Sequence, residues 1–369
     1  MITRLQLKNF GPFSDLSIDF GSKINIIIGE NGCGKTQLLK AAYVLTDVGK
    51  NLYKQELDSK SVANLKLTQK LISIYKPNQN KVGGLAHRGC KEKSELSAET
   101  TTGHYFGASF TSRANKVELI GNYETPDTSL GIFIPTKESL SFLDGIANNE
   151  SDKSTLYRLF DSTYLDLAER LLNSNNLHEE KSQWLMESIV NRIGGRFEFE
   201  GTQVQFKAGV YKEHKNKKNT FSSYFAPTAD KGFSMTMTAE GFRKIGVLQR
   251  LIENGFVGTG INGPLFWDEP ESNMNPQLMK LLVETLLELS RNGQQIILAT
   301  HDYVLLKWFD LLMNKDEDDH VRFHSLYRDT ISNVVKLEST EEFSLMDKNA
   351  ISDTFAELYD ADVKRALER

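Results

Sequence analysis

The chain has 369 residues, of which 39% are hydrophobic and 25% charged, enough for one large domain or two smaller ones and incompatible with a largely disordered polymer. Its 44 Lys and Arg stand against 49 Asp and Glu, a formal charge of −5, so any nucleic-acid contact must come from a local basic patch. Two cysteines, Cys33 and Cys90, exclude a disulfide framework and suit a reducing cytosol. The opening MITRLQLKNFGPF lacks the unbroken apolar run of a signal peptide, and no stretch reaches the ~18 apolar residues of a membrane span, so a cytoplasmic protein without membrane association is expected.

Residues 2–10 and 16–20 alternate apolar with polar around Gly11-Pro12 and predict an antiparallel hairpin. Residues 24–28 are nearly all apolar, as in a strand buried on both faces, and run into GENGCGKT. A helix is expected from Gly34 to about Leu45, packed through Leu38, Leu39, Ala42 and Tyr43. From Thr46 to Ala108 the polar, Lys-rich sequence carries no periodic signal. A short strand is expected at GIFIP (131–135), then a short helix through Leu143. Helices are expected over 155–189 with a break at Asn173 to Asn176, and a β-ribbon over 196–209 with its turn near Gly201. The ribbon's exit carries Lys212, Lys215, Lys217 and Lys218, read as a solvated basic loop or a nucleic-acid-binding tip.

The last third is more strongly patterned. Leu265 to Trp267 predicts a buried strand entering Asp268-Glu269-Pro270. Asn275-Pro276 supplies a cap and a first-turn proline for a helix that ends at Asn292-Gly293. A second buried strand, Gln295 to Ala299, leads to Thr300-His301. Asp316 to Asp319 is read as an acidic surface loop.

Gly29 to Thr36 fits G-x-x-x-x-G-K-[ST] between a strand and a helix, the context in which backbone N–H groups wrap phosphate oxygens. The expected nucleotide-binding set is Gly29, Glu30, Asn31, Gly32, Cys33, Gly34, Lys35, Thr36 and Gln37. In it Lys35 reaches the β- and γ-phosphates and Thr36 coordinates Mg²⁺. Cys33 sits at a helix N-terminus, where a thiolate would be favoured, but is read as filling a variable position of the motif. Asp268 is expected as the second metal anchor, with Glu269 beside it as the catalytic group that polarises water. His301, at the carboxyl edge of the same sheet, is expected to act on the γ-phosphate and the water.

These motifs resemble an ABC-type ATPase head of the branch containing RecF, SMC-like and OLD-family ATPases. Gly29 to Thr36 corresponds to Walker A, Leu265 to Glu269 to Walker B, Asn273 to Pro276 to the D-loop and His301 to the switch histidine. LKNFGPF, INIIIGENGCGKT, DEPESNMNP and ILATHDYVL together also resemble the ATPase subunits of bacterial defence systems such as Septu, retrons and PARIS. The resemblance implies an α/β fold: a P-loop parallel sheet, an N-terminal antiparallel β subdomain and an inserted helical and β-ribbon region. Residues 1–50 and 236–369 would form the head around an insertion at 51–235. The signature loop falls on Thr238, Ala239, Glu240 and Gly241, with Ala239 where the family usually carries serine, which implies slow hydrolysis unless Thr238 substitutes. No glutamine follows the GIFIP strand, leaving Lys137 and Glu138 in the place of a Gln-loop.

The implied function is an ATPase using ATP and Mg²⁺. Its head-to-tail homodimer, or a higher homo-oligomer, would switch a separate effector in antiphage defence, a nuclease being one candidate. Nucleic acid is left open as a partner. Two alternatives stand beside it: a RecF-like DNA-repair clamp, and an ATP-bound scaffold that does not turn over.

Overall fold

A computed structural model describes residues 1–53, 60–121, 130–148, 153–173, 180–215, 221–258 and 263–368. The chain forms two compact units: Met1–Phe133 with Gly263–Glu269 and Gln295–Arg369, and Ile134–Asn262 with Pro270–Gln294. Residues 60–121, expected as part of the insertion, thus pack with the N-terminal unit, and residues 236–258 with the other.

The first unit contains two sheets. The hairpin Ile2–Phe10 and Phe13–Asp19 forms with Leu7 opposite Leu16 and Leu5 opposite Ile18, all buried, while Gln6, Lys8, Asp15 and Ser17 face outward or lie at the margin. Three further antiparallel strands, Ser94–Thr100, Tyr105–Phe110 and Glu118–Gly121, extend it to five. The helix Lys60–Tyr75, the strand Ser94–Thr100 and the start of Tyr105–Phe110 come from the stretch that carries no periodic signal. Short segments such as SELSAET pair with Ile2–Phe10 through backbone bonds that need no apolar alternation.

The six-stranded sheet runs in the order Val335–Thr340, Val321–Arg328, Ile24–Gly29, Ile296–Ala299, Leu265–Asp268, Ile132–Ile134. The strands Val321–Arg328, Ile24–Gly29, Ile296–Ala299 and Leu265–Asp268 are parallel, and the last three are buried along their whole length. The helix Lys35–Tyr53 continues past Leu45 because it is buried all round: Ala41, Val44 and Leu45 are covered as well as Leu38, Leu39, Ala42 and Tyr43. One core runs through it, from Leu5, Leu7 and Leu96 of the antiparallel sheet to Ile27, Ile297 and Ala299 of the parallel one.

Two buried polar side chains, Gln295 and His324, hold the strands of this unit. Gln295 accepts from the Ile2 N–H at 3.0 Å and donates to the carbonyls of Ile2 and Gly21, each at 2.8 Å, which ties the first strand of one sheet to the edge of the other. His324 places Nδ1 2.8 Å from Ser339 Oγ and Nε2 3.3 Å from Asn25 Oδ1. The three residues sit on adjacent strands of the parallel-rich sheet.

The second unit combines the helices Leu143–Asn148, Lys153–Leu159, Ser162–Leu172, Glu180–Ile193, Glu240–Glu253 and Pro276–Arg291 with the ribbon strands Gly195–Glu200, Gln203–Lys215 and Phe221–Pro227 and the short Phe233–Ser234. The helix at 276–291 begins as its sequence dictates, with Asn275 accepting from the Gln277 N–H at 2.9 Å and Pro276 in the first turn. Lys212 is exposed on the ribbon. Lys217, Lys218 and residues 174–176 of the expected helix break lie outside the described residues.

Burial, with Arg322 nearby as a smaller cause, pushes the His324 imidazole down to about 3 from its ordinary 6.5. The folded chain therefore holds a neutral ring that the unfolded chain protonates below pH 6.5. Stability from this group is complete above 6.5 and is lost as the pH falls toward 3, at about 1.4 kcal/mol per pH unit. Denaturant titrations at pH 4 to 7 should show this slope in the wild type and its removal in His324→Gln; identical slopes would mean that the ring is not held neutral.

Candidate nucleotide site at the carboxyl edge of the parallel sheet

The phosphate-loop motif starts where the Ile24–Gly29 strand stops and ends inside the first turn of Lys35–Tyr53. Gly32 has φ +85°, and a side chain built there would meet nothing within 4 Å, so the loop bends around open space. Gly34 has φ +98°, and a Cβ there would come within 2.7 Å of Pro12 and Phe13. The GPF turn of the N-terminal hairpin therefore butts against the loop, and only glycine fits between them.

Lys35 is buried and folded back over the loop, donating to the Gly29 carbonyl at 2.6 Å and lying 3.3 Å from the Glu30 carbonyl. The Thr36 hydroxyl lies 3.0 Å from Oδ1 and 2.9 Å from Oδ2 of Asp268, a carboxylate 232 residues away that is itself buried. The parallel register produces this meeting: Asp268 lies beside Ala299, and Ala299 beside Ile27. Beyond the strands the ladder continues for one residue on each path, with the Glu269 N–H donating to Ala299 O at 2.9 Å and the Thr300 N–H to Ile27 O at 3.0 Å. Those bonds hold Glu269 and His301 at one edge, with His301 Nδ1 3.3 Å from Glu269 Oε1. Glu269 adopts φ +48°, a left-handed conformation rare for a residue with a side chain. His301 is followed by Asp302, which caps the helix Tyr303–Leu312 by accepting from the Leu305 N–H at 2.8 Å.

Cys33 follows its burial. A helix N-terminus favours thiolate, but this side chain is buried, and burial, reinforced by Glu30, pushes the thiol up from its ordinary value. It is a neutral packing group under the loop. Gln37 lies beside the GPF turn: a Cβ on Gly11 would come 2.5 Å from its Oε1, and its backbone carbonyl accepts from Tyr75 Oη at 2.7 Å. Arg328 was not legible in the sequence. It approaches the loop because Leu326 lies beside Gly29 in the parallel register, and with Gly29 and Glu30 it lines a cavity of about 270 Å³.

In the second unit, Ala239 caps the helix Glu240–Glu253 without any side-chain hydrogen bond. The Thr238 hydroxyl is buried and donates to the Ser234 carbonyl at 2.9 Å. Arg243, absent from the expected set, braces the loop from behind by donating to the carbonyls of Met235 at 2.6 Å and Thr238 at 2.9 Å. It also pairs with Glu138 at 3.2 Å, so this carboxylate is turned into its own unit. Glu240 accepts from Asn273 Nδ2 at 2.9 Å, and Gly241 leaves only 3.3 Å between a prospective Cβ and Met274 Cα. The expected signature loop and the Asn273 to Pro276 segment therefore lie against each other.

Residues 24–307 match the family described as "AAA domain, putative AbiEii toxin, Type IV TA system", and residues 1–46 match a second AAA-domain model. Over 44 residues the chain is 52% identical to the DNA replication and repair protein RecF of Bacillus cytotoxicus and to that of Bacillus mycoides. Each alignment takes in 12% of this chain and only 12% of the relative's length. Among solved structures, the SMC head domain from Thermotoga maritima is 14% identical, with a TM-score of 0.44, over 92% of this chain and 99% of that one. The Smc head domain bound to the C-terminal domain of ScpA derived from Pyrococcus furiosus is 12% identical, with a TM-score of 0.48, over 98% and 99% respectively. The family match takes in well over half of the chain, which therefore belongs to this AAA-domain family.

Proposed function

We propose that the chain binds ATP with Mg²⁺ on Gly29 to Gln37 and hydrolyses it slowly, with Glu269 and His301 as the catalytic pair. The observation that carries this reading is the Thr36 hydroxyl set against both oxygens of Asp268, one residue before the Glu269–His301 pair. The residues fit the ligands. A half-buried hydroxyl and a buried carboxylate set against each other are the hard oxygen donors that Mg²⁺ takes, and at Gly32 the loop is open to a ligand. Bound Mg²⁺ would neutralise charge on the phosphate oxygens.

The chain's own residues supply the rest. Lys35 exchanges its bonds to the Gly29 and Glu30 carbonyls for phosphate oxygens, so its charge is stored at the site beforehand. Glu269 orients a water and accepts its proton, and His301 Nδ1, 3.3 Å away, fixes the direction of that carboxylate. The strained backbone at Glu269 aims the side chain along the sheet edge instead of into the core.

In the same reading, Thr238 to Gly241 of one subunit completes the ATP site of another, so that ATP joins two heads and hydrolysis releases them. The switched partner is a separate effector in antiphage defence, a nuclease being the favoured class. Ala239 offers no hydroxyl, and the Thr238 hydroxyl is already donated to Ser234, which supports slow turnover. A RecF-like clamp is the second reading, favoured by the RecF identity over 44 residues. A steep fall of DNA affinity with salt would select it.

Lys35→Ala should fold normally and lose ATP binding at least tenfold. Glu269→Gln should keep binding while phosphate release drops by about 100-fold or more, and light scattering should then show an ATP-dependent dimer; normal turnover in this variant would remove Glu269 from catalysis. Because φ at residue 269 is positive, Glu269→Gly should be more stable than Glu269→Ala by about 1 kcal/mol in denaturant titrations. Ala239→Ser should add about 1 kcal/mol through the missing cap and raise the rate of hydrolysis; a faster enzyme with no stability gain would separate the two effects.

A further inference from the structure

His301 stands on a connection that is held differently on its two sides. On the sheet side the Thr300 N–H donates to the Ile27 carbonyl at 3.0 Å, and the Thr300 hydroxyl accepts from the Asp302 N–H at 3.0 Å. On the helix side Asp302 caps Tyr303–Leu312, and the ring of Tyr303, the first residue of that helix, stacks on Phe355 with centroids 4.2 Å apart and planes at 16°. The His301 side chain between these anchors is half exposed, so its direction depends on where the backbone on either side is held.

Phe355 belongs to the helix Ala350–Leu367, which buries none of its 18 residues and so adds little to the core. Its start is nevertheless firmly seated. Asn349 is buried and caps the helix by accepting from the Ser352 N–H at 3.2 Å. The Ser325 hydroxyl donates to the Lys348 carbonyl, and the Glu338 carboxylate accepts from the N–H groups of Asp347 at 3.2 Å and Lys348 at 2.8 Å. Ser325 and Glu338 lie opposite each other on the paired strands Val321–Arg328 and Val335–Thr340, so the helix starts from the same sheet whose carboxyl edge carries His301. Phe355 then meets Tyr303 from a fixed base. We propose that Phe355 is a positioning residue for ATP hydrolysis: its stack on Tyr303 fixes the first turn of Tyr303–Leu312, and through that turn the His301 ring beside Glu269. The inference rests on the catalytic pair proposed above. A group that must face a reacting water tolerates little displacement, since a shift of about 1 Å can cost about 100-fold in rate.

The test uses the full chain. Phe355→Ala should lower kcat for ATP about tenfold or more while ATP affinity stays as in the wild type, and Phe355→Tyr, which keeps the stacked ring, should restore the rate. Tyr303→Ala should show the same loss, and the double alanine variant no further loss, because both changes remove one contact. A second readout needs no turnover. In proton–nitrogen correlation spectra of the histidine rings, taken without nucleotide, the His301 signal is identified by its disappearance in His301→Ala; it should move in Phe355→Ala and return in Phe355→Tyr. An unchanged rate in Phe355→Ala would overturn the proposal, as would an unmoved His301 signal or a tyrosine that restores neither. Should the wild type not hydrolyse ATP, the catalytic reading fails by itself, and the His301 signal still decides whether the stack holds that ring.

Discussion

One hydroxyl and one carboxylate, Thr36 and Asp268, are brought to 2.9–3.0 Å from positions 232 residues apart, and no local rule of chain geometry could do this. The distance is set by three parallel strands in a single register, with Asp268 beside Ala299 and Ala299 beside Ile27. A slip of one residue in either pairing would turn every side chain of these short strands to the opposite face. It would also break the Glu269-to-Ala299 and Thr300-to-Ile27 bonds that carry the ladder past the strand ends. The near-continuous burial of Ile24–Gly29, Ile296–Ala299 and Leu265–Asp268 is what makes such slips expensive, so packing of the sheet and precision of the site are one constraint.

Around that constraint the unit is tied by few polar groups. Gln295 spends its whole amide on three backbone groups of the hairpin and its neighbouring turn, and so sets where the antiparallel sheet sits. The hairpin's GPF turn then presses on the phosphate loop at Gly34. The loop is thus shaped from one side by the hairpin and from the other by the register that puts Leu326 beside Gly29. Lys35 waits on two carbonyls inside it. A cation held in this way costs less to bury than an unpartnered one.

The site was legible wherever function and local pattern coincide. GENGCGKT after an all-apolar strand, LFWDE and ILATH each carry their own context, and Asn275-Pro276 announced its helix start correctly. The rest was hidden for identifiable reasons. Ser94–Thr100 is specified by pairing with Ile2–Phe10, and the two strands that follow it by pairing onto it in turn, rather than by alternation. Arg243, which braces the signature loop, and Arg328, beside the phosphate loop, matter through tertiary neighbours that no spacing encodes. The Cys33 thiol followed burial, not the helix end, and the left-handed backbone at Glu269 has no signature in a residue that prefers the right-handed regions.

In the second unit the signature loop has its own framework: Arg243 holds two of its carbonyls, Asn273 holds Glu240, and Gly241 lets the Asn273 to Pro276 segment approach. The phosphate-loop motif and the expected signature loop are therefore each held within a single unit. The most direct test is the Mg²⁺ dependence of ATP affinity, measured by calorimetry with and without the metal for wild type, Thr36→Val and Asp268→Asn. If the pair marks the metal position, Mg²⁺ should tighten ATP binding to the wild type and lose most of that effect in either variant. An equal gain from Mg²⁺ in all three proteins would contradict it.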